Sequence, residues 1–187
     1  MRAFIGIALP DAVRSSLAGL QRQLSESGAD VKWVEPANLH VTLKFLDEIT
    51  DDQRRVVEAL LGRVAAQETP FTLRLVDVGA FPSMKAPRVI WVGITEGRDR
   101  VVRLAQAIEQ NGGALSLRRE DRPFAAHVTL GRVRSPRNRA ALSQRFQEIV
   151  WSPPAAWRVP SLTLYESVLS SAGPRYTALA DFPLHAQ

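Results

Sequence analysis

The chain has 187 residues, 45% hydrophobic and 23% charged, a balance that suits a folded unit with a substantial core and argues against a disordered tail. It has no cysteine, which excludes disulfides, thiolate metal sites and cysteine nucleophiles, and its three histidines (His40, His127, His185) argue against a histidine-rich metal centre. The net charge is +5, and all but three (Lys32, Lys44, Lys85) of the 24 cationic residues are arginine, which suits bidentate phosphate contact.

Ala3 to Leu9 is a short apolar run stopped by Pro10. It lacks a small-residue cleavage site and reads as a buried strand, not a leader. No stretch approaches the roughly 18 apolar residues of a spanning helix, so no membrane contact is expected and the cytoplasm is the expected location. Asp11 reads as a helix N-cap, followed by Val13, Leu17, Leu20 and Leu24 on one helical face that ends before Gly28. Leu39 to Leu46 reads as a strand. Asp51 or Asp52 is placed to cap a second helix, with Val56, Val57, Leu60, Leu61 and Val64 as its stripe. Phe71 to Val78 alternates as another strand, with Phe71, Leu73 and Leu75 on one side.

The pattern then restarts. Val89 to Ile94 is a strand, and a helix runs through Val101, Leu104, Ala105 and Ile108 to Asn111-Gly112-Gly113. His127 to Val133 is a strand, Pro136 to Val150 a helix and Trp157 to Tyr165 a strand, with Tyr176 to Phe182 pairing back on it. Strand, helix, strand, helix, strand is thus read twice. An α+β fold follows: a two-lobed, pseudo-twofold duplication within a single domain over 1–187, its repeats near 1–80 and 88–182. The proline-rich stretch from Phe81 to Pro87 is either the crossover between lobes or a hairpin loop.

A matching tetrapeptide sits at the same place in each repeat: His40-Val41-Thr42-Leu43 and His127-Val128-Thr129-Leu130. Residues i and i+2 share a face of a strand, so each histidine stands beside its threonine while the valine and leucine point inward. A single histidine on a strand is more often structural; two at equivalent points of a duplicated unit favour chemistry. Flanking one cleft, one imidazole can take a proton from water while the other delivers one to a leaving oxygen. The threonine hydroxyls can donate to non-bridging phosphate oxygens as charge develops, and the scheme requires no metal. Which histidine is acid and which is base is left open by the symmetry.

These residues resemble the two-histidine phosphoesterase superfamily, and within it the RNA 2′,3′-cyclic phosphodiesterases, also called 2′-5′ RNA ligases. Further landmarks are Trp33-Val34-Glu35-Pro36, Gly79-Ala80-Phe81-Pro82, Pro87 to Gly93, Arg122-Pro123-Phe124 and Leu162 to Ser167, so the resemblance covers nearly the whole chain. It implies two lobes of antiparallel sheet lining a central cleft with helices outside. It also implies hydrolysis of an RNA or nucleotide 2′,3′-cyclic phosphate end to a 2′-phosphate without a cofactor. By the same resemblance His40 is the general acid, His127 activates water, Thr42 and Thr129 hold the phosphate, and Arg132 reaches it. The same transfers with a 5′-hydroxyl end as nucleophile would make a 2′-5′ bond, the reverse of its cleavage. Strict alternation, however, sets Arg132 on the face opposite His127 and Thr129, unless Gly131 permits a bulge or twist. Lys44 shares the parity of His40 and Thr42. Asp47 stands where the family commonly has glycine.

Eight arginines between Arg118 and Arg145, against Glu120 and Asp121, could guide an RNA backbone or simply be solvated. Phe45, Trp33, Trp91 and Phe124 are candidate base platforms as well as candidate core residues, and His185 is read as incidental. A monomer is expected, with a cyclic-ended RNA or oligonucleotide as partner. Two other readings fit the same residues: a noncatalytic RNA-end binding module, and a phosphodiesterase for a small cyclic nucleotide or ADP-ribose cyclic phosphate.

Overall fold

The structure is a computed structural model that describes residues 1–112 and 122–185. Its strands are β1 (Arg2–Ala8), β2 (Val31–Trp33), β3 (His40–Glu48), β4 (Phe71–Leu73), β5 (Leu75–Pro82), β6 (Pro87–Ile94), β7 (His127–Val133), β8 (Trp157–Val159), β9 (Ser161–Ser170) and β10 (Gly173–Pro183). The helices are α1 (Asp11–Ser25), α2 (Asp51–Ala66), α3 (Arg98–Gly112) and α4 (Arg139–Glu148), with a 3-10 turn at Pro36–Asn38. An antiparallel sheet runs β10-β9-β1-β3-β7-β6-β5, with β2 on the far end of β7, and β4 and β8 form a small second sheet. Between β3 and β7 the sheet narrows to one pair, Val41 opposite Val128. That waist divides the molecule into two lobes. Strands from both chain halves enter each lobe: β9 and β10 complete the one containing β1 and β3, and β2 joins the one containing β5, β6 and β7.

Helices α1, α2 and α3 are amphipathic and bury their apolar stripes, which supplies most of their stability, while α4 buries only Leu142 and Phe146. Val13, Leu17, Leu20 and Leu24 of α1 are buried, as are Val57, Leu60, Leu61 and Val64 of α2 and Val101, Leu104, Ala105 and Ile108 of α3. At about 1.5–3 kcal/mol for each fully buried leucine, the three of α1 alone contribute several kcal/mol. Val56 belongs to the expected stripe of α2 but is exposed, because the turn rotates it off the core face.

Several expected boundaries move for local reasons. Pro10, not Asp11, occupies the N-cap position of α1, and Asp11 sits in the first turn, where the helix dipole favours a carboxylate. Thr50, not Asp51 or Asp52, caps α2: its hydroxyl accepts from Gln53 N at 3.2 Å while Gln53 Oε1 accepts from Thr50 N at 2.9 Å, a reciprocal capping box. The run from Phe71 to Val78 breaks at Arg74, so that β4 pairs with β8 and β5 with β6. The run from Trp157 to Tyr165 breaks at Pro160, which lacks the N–H a continuous ladder needs. The proline-rich stretch is the hairpin loop between β5 and β6, not a crossover. Asp47 adopts φ 55°, the left-handed region that glycine favours and aspartate tolerates.

Candidate active site

The two tetrapeptides open β3 and β7 and meet at the waist. Val41 and Val128 are fully buried against each other's strand, whereas His40, Thr42, His127 and Thr129 are half-buried on the alternate face. An antiparallel register centred on Val41 and Val128 sets His40 toward Thr129 and Thr42 toward His127. Sequence duplication has become near-twofold symmetry at the site.

Both imidazoles are oriented by the same device. His40 Nδ1 lies 2.6 Å from the Asn38 carbonyl and His127 Nδ1 lies 2.6 Å from the Ala125 carbonyl, in each case two residues upstream. A carbonyl only accepts, so each Nδ1 carries hydrogen and each Nε2 is left for chemistry. Thr42 Oγ1 donates to His40 Nε2 at 2.7 Å. Burial pushes both histidines below their usual 6.5, partly offset by the carbonyl bonds; the positive fields of Arg14 and His127 lower His40 further, and that of Arg132 lowers His127. The resting site therefore favours neutral rings. An anionic phosphate beside them would raise their proton affinity.

The strands are bulged at equivalent places, which resolves the position of Arg132. In β7, Thr129 lies opposite Trp91 and Gly131 opposite Ile90, so Leu130 has no counterpart on β6. In β3, Thr42 lies opposite Gly6 and Lys44 opposite Ile5, so Leu43 has none on β1. One extra residue inverts the parity that follows. The fifth residue after each histidine is thereby turned into the cleft: Arg132 after His127 and Phe45 after His40. Both line a cavity of about 90 Å³ together with His40, Thr42, Thr129, Val34, Asn38 and Tyr176. The inversion has the opposite consequence for Lys44. It leaves the histidine face, is 7% exposed, and pairs with Glu109 of α3.

Aromatic rings wall both histidines. His40 packs on Phe4 with ring centroids 4.6 Å apart and takes Tyr176 edge-on at 5.4 Å, while Tyr165 stacks on Phe4 at 4.9 Å. His127 takes Phe81 edge-on at 5.4 Å, with Trp91 at 6.4 Å. Phe4 and Trp91 each precede their histidine by 36 positions, one more trace of the duplication. Tyr165 lies in the landmark stretch Leu162 to Ser167, whereas Tyr176 escapes a motif search because no counterpart in the other repeat singles it out. Phe45 is 55% exposed, whereas Trp33 and Phe124 pack against the core. His185 lies at the chain's end, its N–H bonded to the Glu68 carbonyl.

The arginine run does not form one described surface. Arg118, Arg119, Glu120 and Asp121 lie outside the described residues; Arg132 lines the cleft; Arg145 is committed to Glu26, Glu148 and the Gln23 carbonyl, tying α4 to α1. A larger, open groove of about 490 Å³ lies between α1 and the Pro36–Asn38 turn, lined by Arg14, Arg22, Pro36 and Ala37 among others. It contains neither histidine, whereas the smaller cavity takes His40 and Thr42 from the first motif and Thr129 from the second, and His127 is not among its lining residues. Among the described residues no cluster of three or more histidine, aspartate or glutamate side chains is placed to hold a metal, and no helix is long and apolar enough to cross a membrane.

The family described as LigT-like phosphoesterase matches this chain twice, over residues 7–91 and 92–176. The chain is 32% identical over 98% of its length to the RNA 2′,3′-cyclic phosphodiesterase of Methanothermobacter thermautotrophicus, covering 99% of that protein. It is 34% identical to the RNA 2′,3′-cyclic phosphodiesterase of Archaeoglobus fulgidus, with 97% of this chain and 99% of that one aligned. Among solved structures it is similar to a protein of Thermus thermophilus, with a TM-score of 0.81, 30% identity and 98% of each chain covered. It is also similar to E. coli LigT complexed with 3′-AMP, with a TM-score of 0.79, 26% identity, and 99% of this chain and 98% of that one covered.

Proposed function

The chain belongs to the LigT-like phosphoesterase family, and we propose that it is an RNA 2′,3′-cyclic phosphodiesterase in which His40 and His127 act as acid and base. The observation that carries this reading is the matched pair of imidazoles, each holding Nδ1–H on a carbonyl and leaving Nε2 for proton transfer. A noncatalytic binding module has no use for two titrating groups so oriented.

In the proposed reaction the cyclic phosphate sits between the histidines. His127 Nε2 removes a proton from water as its oxygen attacks phosphorus. The bond from phosphorus to the 3′ oxygen breaks, His40 delivers a proton to that oxygen, and a 2′-phosphate remains. The assignment of acid to His40 follows the family resemblance. Thr42, Thr129 and Arg132 donate to the non-bridging oxygens, where preorganised donors stabilise developing charge. Phe45, exposed at the rim of the same cavity, offers a face on which the terminal base can stack. Each half of the chain supplies half of the site, so the whole chain works as one domain and a monomer suffices. The scheme needs neither metal nor cofactor. With a 5′-hydroxyl end in place of water as the nucleophile, the same transfers break the bond to the 3′ oxygen and join that end to the cyclic end through a 2′-5′ bond, against the competition of water.

The test is phosphorus NMR of the product from a nucleoside 2′,3′-cyclic phosphate in EDTA. Conversion to the 2′-phosphate is expected. Turnover that requires an added metal, or a 3′-phosphate product, would sink the mechanism.

A further inference from the structure

Each bulge that turns the fifth residue into the cleft is met by a polar side chain from a helix of the other chain half. Glu109 of α3 pairs with Lys44, which follows the bulged Leu43 of β3. Gln21 of α1 donates from Nε2 to the carbonyl of Leu130, the bulged residue of β7, at 2.9 Å, and to the Val34 carbonyl at 2.8 Å. Gln21 and Glu109 are 88 positions apart, against 87 for the histidines, so they are near-equivalents in the duplication.

Gln21 is otherwise out of place. It is 7% exposed on the face of α1 that buries Leu17, Leu20 and Leu24, where an apolar residue would pack without needing a partner. Its single amide nitrogen donates to two backbone carbonyls, those of Val34 and Leu130, and Leu130 O also accepts from Val34 N at 2.8 Å, which carries the β2–β7 ladder up to the bulged residue. Losing the amide removes one donor from each carbonyl and leaves Leu130 O to Val34 N, which weakens the bulged register against regular alternation, and regular alternation sets Arg132 on the face away from Thr129.

We infer that Gln21 is a positioning residue: by holding the Leu130 bulge it aims Arg132 at the phosphate, 109 positions along the chain from itself for the carbonyl it grips. This rests on the phosphate-binding role proposed above for Arg132. Gln21 touches no reacting atom and acts through the backbone alone.

A double-mutant cycle separates this role from general stability. The dissociation constant of adenosine 2′-monophosphate is measured by calorimetry for wild type, Gln21→Met, Arg132→Ala and the double variant. Loss of a charge-assisted contact predicts a weakening of about tenfold or more for Arg132→Ala, and about three- to tenfold for Gln21→Met. In the Arg132→Ala background Gln21→Met should add less than about twofold, since effects transmitted through one group do not add. The same factor in both backgrounds, or no effect in wild type, overturns the inference while leaving the cyclic phosphodiesterase reading intact. Wild-type protein that fails to bind the nucleotide overturns both. If Gln21→Met does not fold, Gln21→Glu keeps the size, removes the donors at neutral pH and completes the same cycle.

Discussion

Gly79 is where packing and chemistry are most tightly joined. It lies opposite Trp91 across β5 and β6, and the indole covers the space a side chain would occupy. An added methyl would stand 2.5 Å from Trp91 Cζ2 and 2.9 Å from Cζ3, where carbon atoms in contact normally keep about 3.5–4.0 Å. Gly79→Ala therefore forces the ring back by about 1 Å, and its neighbours in the cleft are Phe81, 5.1 Å away, and His127, 6.4 Å away. Overpacking of this kind costs about 1–3 kcal/mol, or roughly 2–12 °C in melting temperature for a chain of this size. A displacement of about 1 Å at a catalytic group can cost about a hundredfold in turnover. Calorimetric melting and hydrolysis of a nucleoside 2′,3′-cyclic phosphate should both fall, and Trp91→Phe in the same chain should restore part of each by shortening the ring. Wild-type melting and turnover in Gly79→Ala would refute the claim that this indole fixes the His127 side of the cleft.

Burial lowers the proton affinity of both histidines, so the unfolded chain takes up protons at higher pH than the folded one. Their contribution to stability is complete above about 6.5. It declines as pH falls through their folded values, as urea unfolding across this range should show. The acidic limb of kcat/KM should likewise have its midpoint below about 6.5, and a midpoint above that value would contradict burial as the dominant influence. Lys44→Met should cost about 2 kcal/mol in denaturant unfolding, because Glu109 loses a buried cationic partner. Phe45→Ala should leave the melt unchanged and raise KM for a cyclic-ended oligonucleotide by roughly tenfold or more, the expected size of a base-stacking contact.

Much of this architecture is legible in the chain. The duplicated tetrapeptide placed both histidines at equivalent strand starts, and the apolar stripes of α1, α2 and α3 were readable from spacing alone. What the sequence hid is backbone irregularity. Leu43 and Leu130 look like ordinary inward residues, yet each is the extra residue of a bulge, and parity counted across them misplaces Arg132 and Lys44. Short elements were also lost: β2 has three residues, too few for alternation to register. Gln21 was invisible because its role depends on a carbonyl more than a hundred positions away. Caps moved by a residue or two, since Thr50 and Asp51 are both good caps and only the reciprocal bond with Gln53 decides between them.

The claim that the two imidazoles act as one acid–base unit is tested most directly by turnover of His40→Ala, His127→Ala and the double variant. Each single variant should lose about 10²–10⁴-fold in kcat, and the double variant should be little worse than either, because groups that act together are strongly non-additive. All three should melt close to wild type. A single variant that keeps turnover within a few fold of wild type would contradict the account, whatever the other does.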